Sequence, residues 1–348
     1  MAKYIRPIDP HVHLRGEEYQ TNYLELGFGD ARAVGLIGLL EQPNPKPQLT
    51  RIDKVMTRLH NAKRYSNGVY HGIHMGLTTD LNQVGHALSC VVSEEGIIAD
   101  KTFYVHSTGD MGILDPELQR RIWIMKGKLN YTGVSIGHFE DESEFGLIRF
   151  YPHKPMTHTV RQTAKAELVQ VQKQIRNAFD ANFNGVFYVA HVSNPDTVDY
   201  IEAERKRLPF EVVLEVTFHH MFLNTDDYKI HGNRVKMNPP LRSPIMQGAL
   251  LGRVLDGKLQ IIGTDHAPHP YELKTGNTPP SGIPTLPFWP RGIQLLRDNG
   301  INESLLENMI FNNANRIFKL NLPKELVDIE YDESLWQVYG YNPFSRLC

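Results

Sequence analysis

The sequence predicts an α/β fold in which eight parallel strands close into a (β/α)8 barrel, and three observations carry that prediction. Eight short runs rich in apolar and β-branched residues each end in a polar cluster. Helix-like stretches separate them, the alternation that a parallel sheet with crossover helices requires. The length of 348 residues suits one large barrel of roughly 250 residues with decoration. No linker rich in Pro, Gly or Ser divides the chain, so residues 1–348 are expected to form one domain.

The runs, in chain order, are 4–9 (YIRPID), 34–41 (VGLIGLLE), 70–77 (YHGIHMGL), 97–105 (IIADKTFYV), 131–138 (YTGVSIGH), 185–192 (GVFYVAHV), 210–218 (FEVVLEVTF) and 259–265 (LQIIGTD). Short runs bounded by turn residues suit strands buried on both faces. Helix-like stretches lie at 52–64, 115–126, 160–180, 196–207 and 245–256. The longest is expected to begin after Lys154 and Pro155, with Thr157 as its cap. The tail from about 320 onward is irregular and is expected to pack on the outside of the barrel.

Composition narrows the function. A chain 41% hydrophobic and 22% charged is neither disordered, collagenous nor a coiled coil. A net charge of -2 gives no reason to expect a nucleic-acid or anionic-membrane partner. No apolar run reaches the ~18 residues that span a bilayer, and the opening stretch MAKYIRPIDPHVH lacks an apolar signal core. Two cysteines, Cys90 and Cys348, supply no disulfide framework, and a cytoplasmic location is expected. Sixteen histidines against two cysteines point instead to metal chemistry with nitrogen and oxygen ligands.

In a barrel of this kind the C-terminal strand ends form the active-site face. The runs bring to that face His11 and His13, Asn44, Thr78, Lys101, His138, His191, Thr217 and Asp265. His11, His13 and Arg15 alternate, so in an extended strand they project from one side. Two imidazoles so spaced can grip one metal while Arg15 reaches a ligand beside it. A lone His-x-His is weak, but here it closes a buried strand with ligand candidates at equivalent heights. Lys101 interrupts an apolar run. One role is a barrel-mouth ion pair with Asp100; another is uptake of carbon dioxide as a carbamate, an anionic ligand able to bridge two metals. Lys126 and Lys128 are weaker candidates because they flank Gly127 in an expected surface turn.

His138 and His191 end consecutive strands and read as ligands for a second metal. Asp265 suits a ligand that also works as general acid and base, since a carboxylate buried there needs a cation. The other histidines take structural readings: His71 and His74 within the third strand, His153 and His158 in a polar loop, and His60, His86 and His231 in helix or loop. His219 and His220 are intermediate and could support the metal shell from outside.

Together these stretches resemble the dihydroorotases of the amidohydrolase superfamily. The matching segments are DPHVHLRG (9–16), EQPNPKPQLT (41–50), GLTTDLN (76–82), KTFYVHSTGDMG (101–112), GHFEDE (137–142), AHVSNPDTVDYI (190–201), KMNPPLR (236–242), GTDHAPH (263–269), SGIPTLP (281–287) and NNANRIFKL (312–320). The resemblance implies a TIM-type barrel of the metal-dependent amidohydrolase kind, in the short form without a substantial β-sandwich domain. It implies the reversible cyclisation of N-carbamoyl-L-aspartate to L-dihydroorotate, a cyclic amide hydrolysis in de novo pyrimidine biosynthesis. Carried over by position, His11, His13, Lys101 (carboxylated) and Asp265 bind one zinc. Lys101, His138 and His191 bind a second, and a hydroxide joins Lys101 in bridging the pair.

The same resemblance gives Arg15, Asn44 and His269 the substrate carboxylate, lines that pocket with Asn238, and makes Asp265 the proton shuttle. Thr108, beside Ser107 in a lid at 106–112, would close over the ring. The sequence departs from the family there, with Ser107 replacing one of a threonine pair and His106 standing where proline is common. A homodimer acting on a small molecule, with no nucleic-acid or membrane partner, completes what the likeness implies. Two alternatives remain open. Hydantoinases, dihydropyrimidinases and allantoinases share the His-x-His and the last aspartate, although HLR, QPN and DHAPH resemble dihydroorotases more closely. A non-catalytic scaffold paralogue need not keep the ligands, all of which are intact here.

Overall fold

The computed structural model describes residues 3–106 and 111–348. Its strands, in chain order, are β1 (Tyr4–Ile5), β2 (Ile8–Val12), β3 (Gly38–Glu41), β4 (Tyr70–Gly76), β5 (Ile97–Phe103), β6 (Val134–His138), β7 (Val186–Val189), β8 (Glu211–Thr217), β9 (Ile261–Gly263) and β10 (Leu326–Val327). Strands β2 to β9 form one sheet in sequence order, every neighbouring pair parallel. The sheet closes on itself just past β9. Val12 bridges His266, and the His13 N–H donates to the His266 carbonyl at 2.7 Å. The eight-stranded barrel is thus the fold, and its strands are buried almost throughout because helices cover the outside.

All eight expected strands form, with one difference at the start. The run 4–9 divides: β1 leaves the barrel to pair antiparallel with β10, and the barrel strand begins at Ile8. Pro7, with no N–H to donate, stands at the break. The pairing of Tyr4 with Val327 and Ile5 with Leu326 brings the tail back to the barrel base. Farther on, the Phe344 ring stacks on Phe288 with centroids 3.8 Å apart, which fastens the tail to the outer layer.

Helices Ile52–Ser66, Pro116–Lys128, Pro195–Glu204 and Pro244–Leu255 match the expected stretches. The expected helix 160–180 is two, Met156–Arg161 and Ala164–Asp180. Thr163 is extended and separates them; its hydroxyl oxygen accepts from the Ala166 N–H, so the cap is Thr163 and not Thr157. His158 consequently lies buried in a short helix rather than in a loop. Helices Tyr23–Ala33, Leu81–Ser93 and Trp289–Asp298 complete the outer layer and were not legible in the pattern of runs. None of the described helices is long and apolar enough to cross a membrane.

Strand alternation decides the fate of the paired residues Asp100 and Lys101. Asp100 points outward, where the Lys126 Nζ donates to it at 2.7 Å and the Ser135 hydroxyl at 2.9 Å. Lys126 is therefore a buried partner inside the helix Pro116–Lys128, not a surface-turn lysine, and the ion pair weighed for Lys101 is made by Lys126 instead. Removing either partner would strand a buried charge, a loss of about 3–5 kcal/mol. Lys101, one residue on, is left facing the barrel mouth.

Candidate active site

The C-terminal strand ends surround a small cavity of about 40 Å³ lined by His11, His13, Arg15, Asn44, Lys101, Phe103, His138, His191, Asn238, Asp265, Ala267, Ser281 and Gly282. Sharp backbone turns aim several of these side chains inward. Arg15, His191 and Asp265 have φ of 50°, 39° and 48°, a left-handed conformation that non-glycine residues adopt at a cost. Each lies two or three residues past the end of a barrel strand, where the chain turns at the barrel mouth.

Hydrogen bonds set the direction of each imidazole. The His11 Nδ1–H donates to Glu215 Oε1 at 2.8 Å, and the His13 Nδ1–H donates to Asn44 Oδ1 at 2.6 Å. Both rings then present Nε2 lone pairs to the same atom, Asp265 Oδ1, at 3.3 and 2.9 Å. Lone pair against carboxylate is repulsive unless something positive lies between. The ligand atoms of His11, His13 and Asp265 lie within 4.8 Å of one another. His138 donates Nε2–H to Glu140 Oε2 at 2.9 Å, which leaves Nδ1 as its lone-pair nitrogen. Its ring centroid stands 4.5 Å from that of His191, which in turn is 5.2 Å from His11.

Two buried groups of the cavity lining are left without partners among the described residues: the Lys101 ammonium and His191 Nδ1. Buried polar atoms are almost always hydrogen-bonded, so such orphans ask for a ligand. Burial, and then the neighbouring Lys101 and His138 respectively, hold His11 and His191 well below the usual histidine pKa. They are neutral nitrogen donors, the form that binds metal. Burial likewise lowers the Lys101 ammonium, against the pull of Glu215 and Asp265. At Asp265 burial pushes upward, but His11, His13 and Lys101 outweigh it and bring the carboxyl down to about 2. Facing lone pairs, orphaned donors and a nitrogen and oxygen ligand set together fit a metal centre.

Beside this cluster stands Arg15, almost fully buried. Its Nε donates to the Pro268 carbonyl at 2.8 Å and its Nη2 lies 2.9 Å from His269 Nε2, while Nη1 has no partner among the described residues. His269 does not line the cavity. It sits behind Arg15, between that guanidinium, the Tyr19 hydroxyl at 2.7 Å and the Ser281 carbonyl at 2.8 Å. The loop 280–282 closes this wall, and Gly282 is there for a steric reason. Its φ is 127°, and a Cβ would lie 2.6 Å from the Ala267 carbonyl oxygen and 3.0 Å from Arg15 Nη2.

Not every strand-end residue joins the cavity. Thr78 bonds the Gln83 side chain, and Thr217 caps the short helix Phe218–Phe222 while its hydroxyl meets His220 Nδ1. His220 Nε2 reaches the Pro239 carbonyl, and the His219 ring has no hydrogen-bond partner among the described residues, so neither ring bonds a described cavity residue. Ser107 and Thr108 lie outside the described residues. Sequence inspection missed Glu215, Glu140 and Tyr19, the partners of His11, His138 and His269. One signal was available: Glu215 interrupts the apolar strand EVVLEVT, where an acid needs a partner.

Comparison with known proteins follows the same lines. No family model matches the chain. The dihydroorotase of Halobacterium salinarum is 30% identical over 282 residues, covering 80% of this chain and 62% of that protein. The dihydroorotase of Methanosarcina mazei is 29% identical over 354 residues, covering 96% and 74%. The chain thus spans between three fifths and three quarters of the length of these two relatives. Among solved structures, the dihydropyrimidinase of Brevibacillus agri superposes with a TM-score of 0.76 over 95% of this chain and 75% of that one, at 20% identity.

Proposed function

Because the chain belongs to the dihydroorotase family of the amidohydrolase superfamily, we propose that it interconverts N-carbamoyl-L-aspartate and L-dihydroorotate, making and hydrolysing a cyclic amide C–N bond. One observation carries this: His11, His13, Lys101, His138, His191 and Asp265 line a single cavity with Arg15 and Asn44 at its side. His11, His13, Asp265 and a carboxylated Lys101 would hold one zinc ion, and Lys101, His138 and His191 a second. Bound there, the two cations supply Lewis-acid polarisation of the scissile carbonyl and acidify the attacking water.

The chain's own groups do the rest. Asp265 is ionised at neutral pH and starts as the base. In hydrolysis its carboxylate takes the proton that water gives up and delivers it to the ring nitrogen as the C–N bond breaks. In cyclisation it removes that proton from the carbamoyl nitrogen as the C–N bond forms and passes it to the oxygen that leaves the carboxyl carbon as water. Glu215 and Glu140 keep His11 and His138 in the tautomers that point lone pairs into the cavity. The substrate carboxylate falls to Arg15 and Asn44, with His269 supporting Arg15 from behind. A single-domain, cytoplasmic homodimer completes the proposal.

Dihydroorotate hydrolysis, followed in the ultraviolet on protein of measured metal content, tests it. Turnover should depend on the metal and vanish in Lys101→Ala and Asp265→Ala. Variants that hydrolyse at the parent rate would overturn the residue roles, and a metal-loaded parent without turnover would overturn the activity.

A further inference from the structure

Lys236 is a mostly buried lysine with no carboxylate within ion-pair distance among the described residues, and none of the chemistry above uses it. Its Nζ donates to the Ser281 hydroxyl oxygen at 2.6 Å, and the Phe150 ring centre lies 5.1 Å away. The Ser281 hydroxyl in turn donates to Asn238 Oδ1 at 3.0 Å. Ser281 and Asn238 both line the cavity; Lys236 does not. The two segments involved are clamped together by a second buried lysine. Lys274 Nζ donates to the carbonyls of Lys236, Pro280 and Gly282 at 2.8, 2.9 and 2.8 Å.

The chemistry of this chain of bonds has a direction. An ammonium can only donate. The Ser281 oxygen that receives it must therefore send its own hydrogen onward, and Asn238 Oδ1 is the acceptor in reach. A carboxamide whose oxygen is so engaged has only its NH2 left to offer. One of those two hydrogens can face neutral His158, which burial holds well below its ordinary pKa beside Asn238. The other is available to the cavity. A donor-only group outside the cavity thus decides the polarity of a group inside it.

We propose that Lys236 is a positioning residue that, through Ser281, turns the Asn238 carboxamide so that its NH2 faces the substrate, making this wall read a hydrogen-bond acceptor such as a ring carbonyl or carboxylate oxygen. The proposal deepens the dihydroorotase reading by naming what the wall beside Arg15 and Gly282 selects. Without the ammonium the Ser281 hydroxyl is free to rotate, the amide loses its fixed orientation, and a substrate acceptor meets either NH2 or C=O.

The test uses Lys236→Met, Lys236→Arg, Ser281→Ala and the double variant Lys236→Met/Ser281→Ala on metal-loaded protein. Steady-state kinetics with dihydroorotate are combined with calorimetric binding of orotate, a planar carboxylated ring used as probe. Lys236→Met and Ser281→Ala should each raise KM about tenfold and weaken orotate to the same degree, with kcat and melting temperature little changed. Lys236→Arg, which keeps a donor-only head, should recover most of the loss, and the double variant should be no worse than the weaker single, because both act along one path. Parent-like KM and orotate affinity in Lys236→Met, failure of arginine to rescue, or additive losses would each overturn the relay. Inactivity of the parent towards dihydroorotate strikes the enzymatic assignment instead. The relay is then judged from the Asn238 side-chain amide resonance, assigned by its absence in Asn238→Asp, which should shift in Lys236→Met and return in Lys236→Arg; an unmoved resonance overturns it.

Discussion

Arg15 offers the sharpest test of substrate class. Its guanidinium spends Nε on the Pro268 carbonyl and sets Nη2 against His269, leaving Nη1 for the cavity. Replacing it by methionine removes at least one charge-assisted hydrogen bond to a substrate carboxylate, worth about 1.5–3 kcal/mol. Burial of the site raises this figure to about 2–5 kcal/mol, the cost of truncating one member of a desolvated charge pair. The expected loss in kcat/KM for dihydroorotate is therefore on the order of 30-fold to several thousand-fold at 1.36 kcal/mol per factor of ten. An uncharged hydantoin has no carboxylate to lose, so its turnover, where measurable, should change less than about threefold by the same arithmetic. The assay compares both substrates on parent, Arg15→Met and Arg15→Lys at matched metal content, with thermal melts to exclude unfolding. Lysine keeps the charge without the fork and should recover only part of the loss. Equal losses on both substrates, or no loss on dihydroorotate, would refute carboxylate recognition by Arg15.

Other expectations follow from contacts outside the metal cluster. Glu215→Gln removes the anionic acceptor shared by His11 Nδ1–H, the Tyr188 hydroxyl and the His191 N–H, and should weaken metal binding about 10- to 100-fold in chelator competition; unchanged affinity would deny Glu215 an orienting role. Gly282→Ala forces a Cβ against the Ala267 carbonyl in a glycine-type conformation, so calorimetry should show a loss of about 1–3 kcal/mol and kinetics a raised KM. Burial lifts Asp30 from 3.8 to about 7 although Tyr339 donates to it. With the folded pKa above the unfolded one, the folded chain holds the extra proton between these values, and stability falls as pH rises through them. Asp30→Asn should erase that slope. Its stability relative to the parent should grow from pH 4 to pH 7 towards a ceiling of about 4 kcal/mol, and a pH-independent difference would contradict the shift.

Much of the fold was legible because a parallel barrel writes itself into sequence. Each strand must be apolar on both faces, and each must end where the chain turns back over the mouth. The ligand candidates could be found for the same reason: one histidine, lysine or aspartate at the end of an apolar run can be structural, but several at equivalent heights on one face point to a shared ligand. Helix boundaries were less legible where a short polar break decides them, as at Thr163, since that break depends on what the hydroxyl finds to bond.

What the linear chain determined by itself is which residue types stand at the strand ends, because strand periodicity and burial are local properties. What only the folded chain decided is which partners those residues meet. Asp100 went to Lys126 on the outer face and left Lys101 unpaired, an outcome of strand alternation combined with a helix 26 positions away. Glu215 reached His11 across 204 positions, and Asp265 met His13 across 252. Barrel closure brings such pairs together, and no periodicity within a single run encodes it. Hydrogen-bond direction and the repulsion of facing lone pairs are properties of those meetings, which is why the chemistry of the site became specific only once the ring of strands was closed.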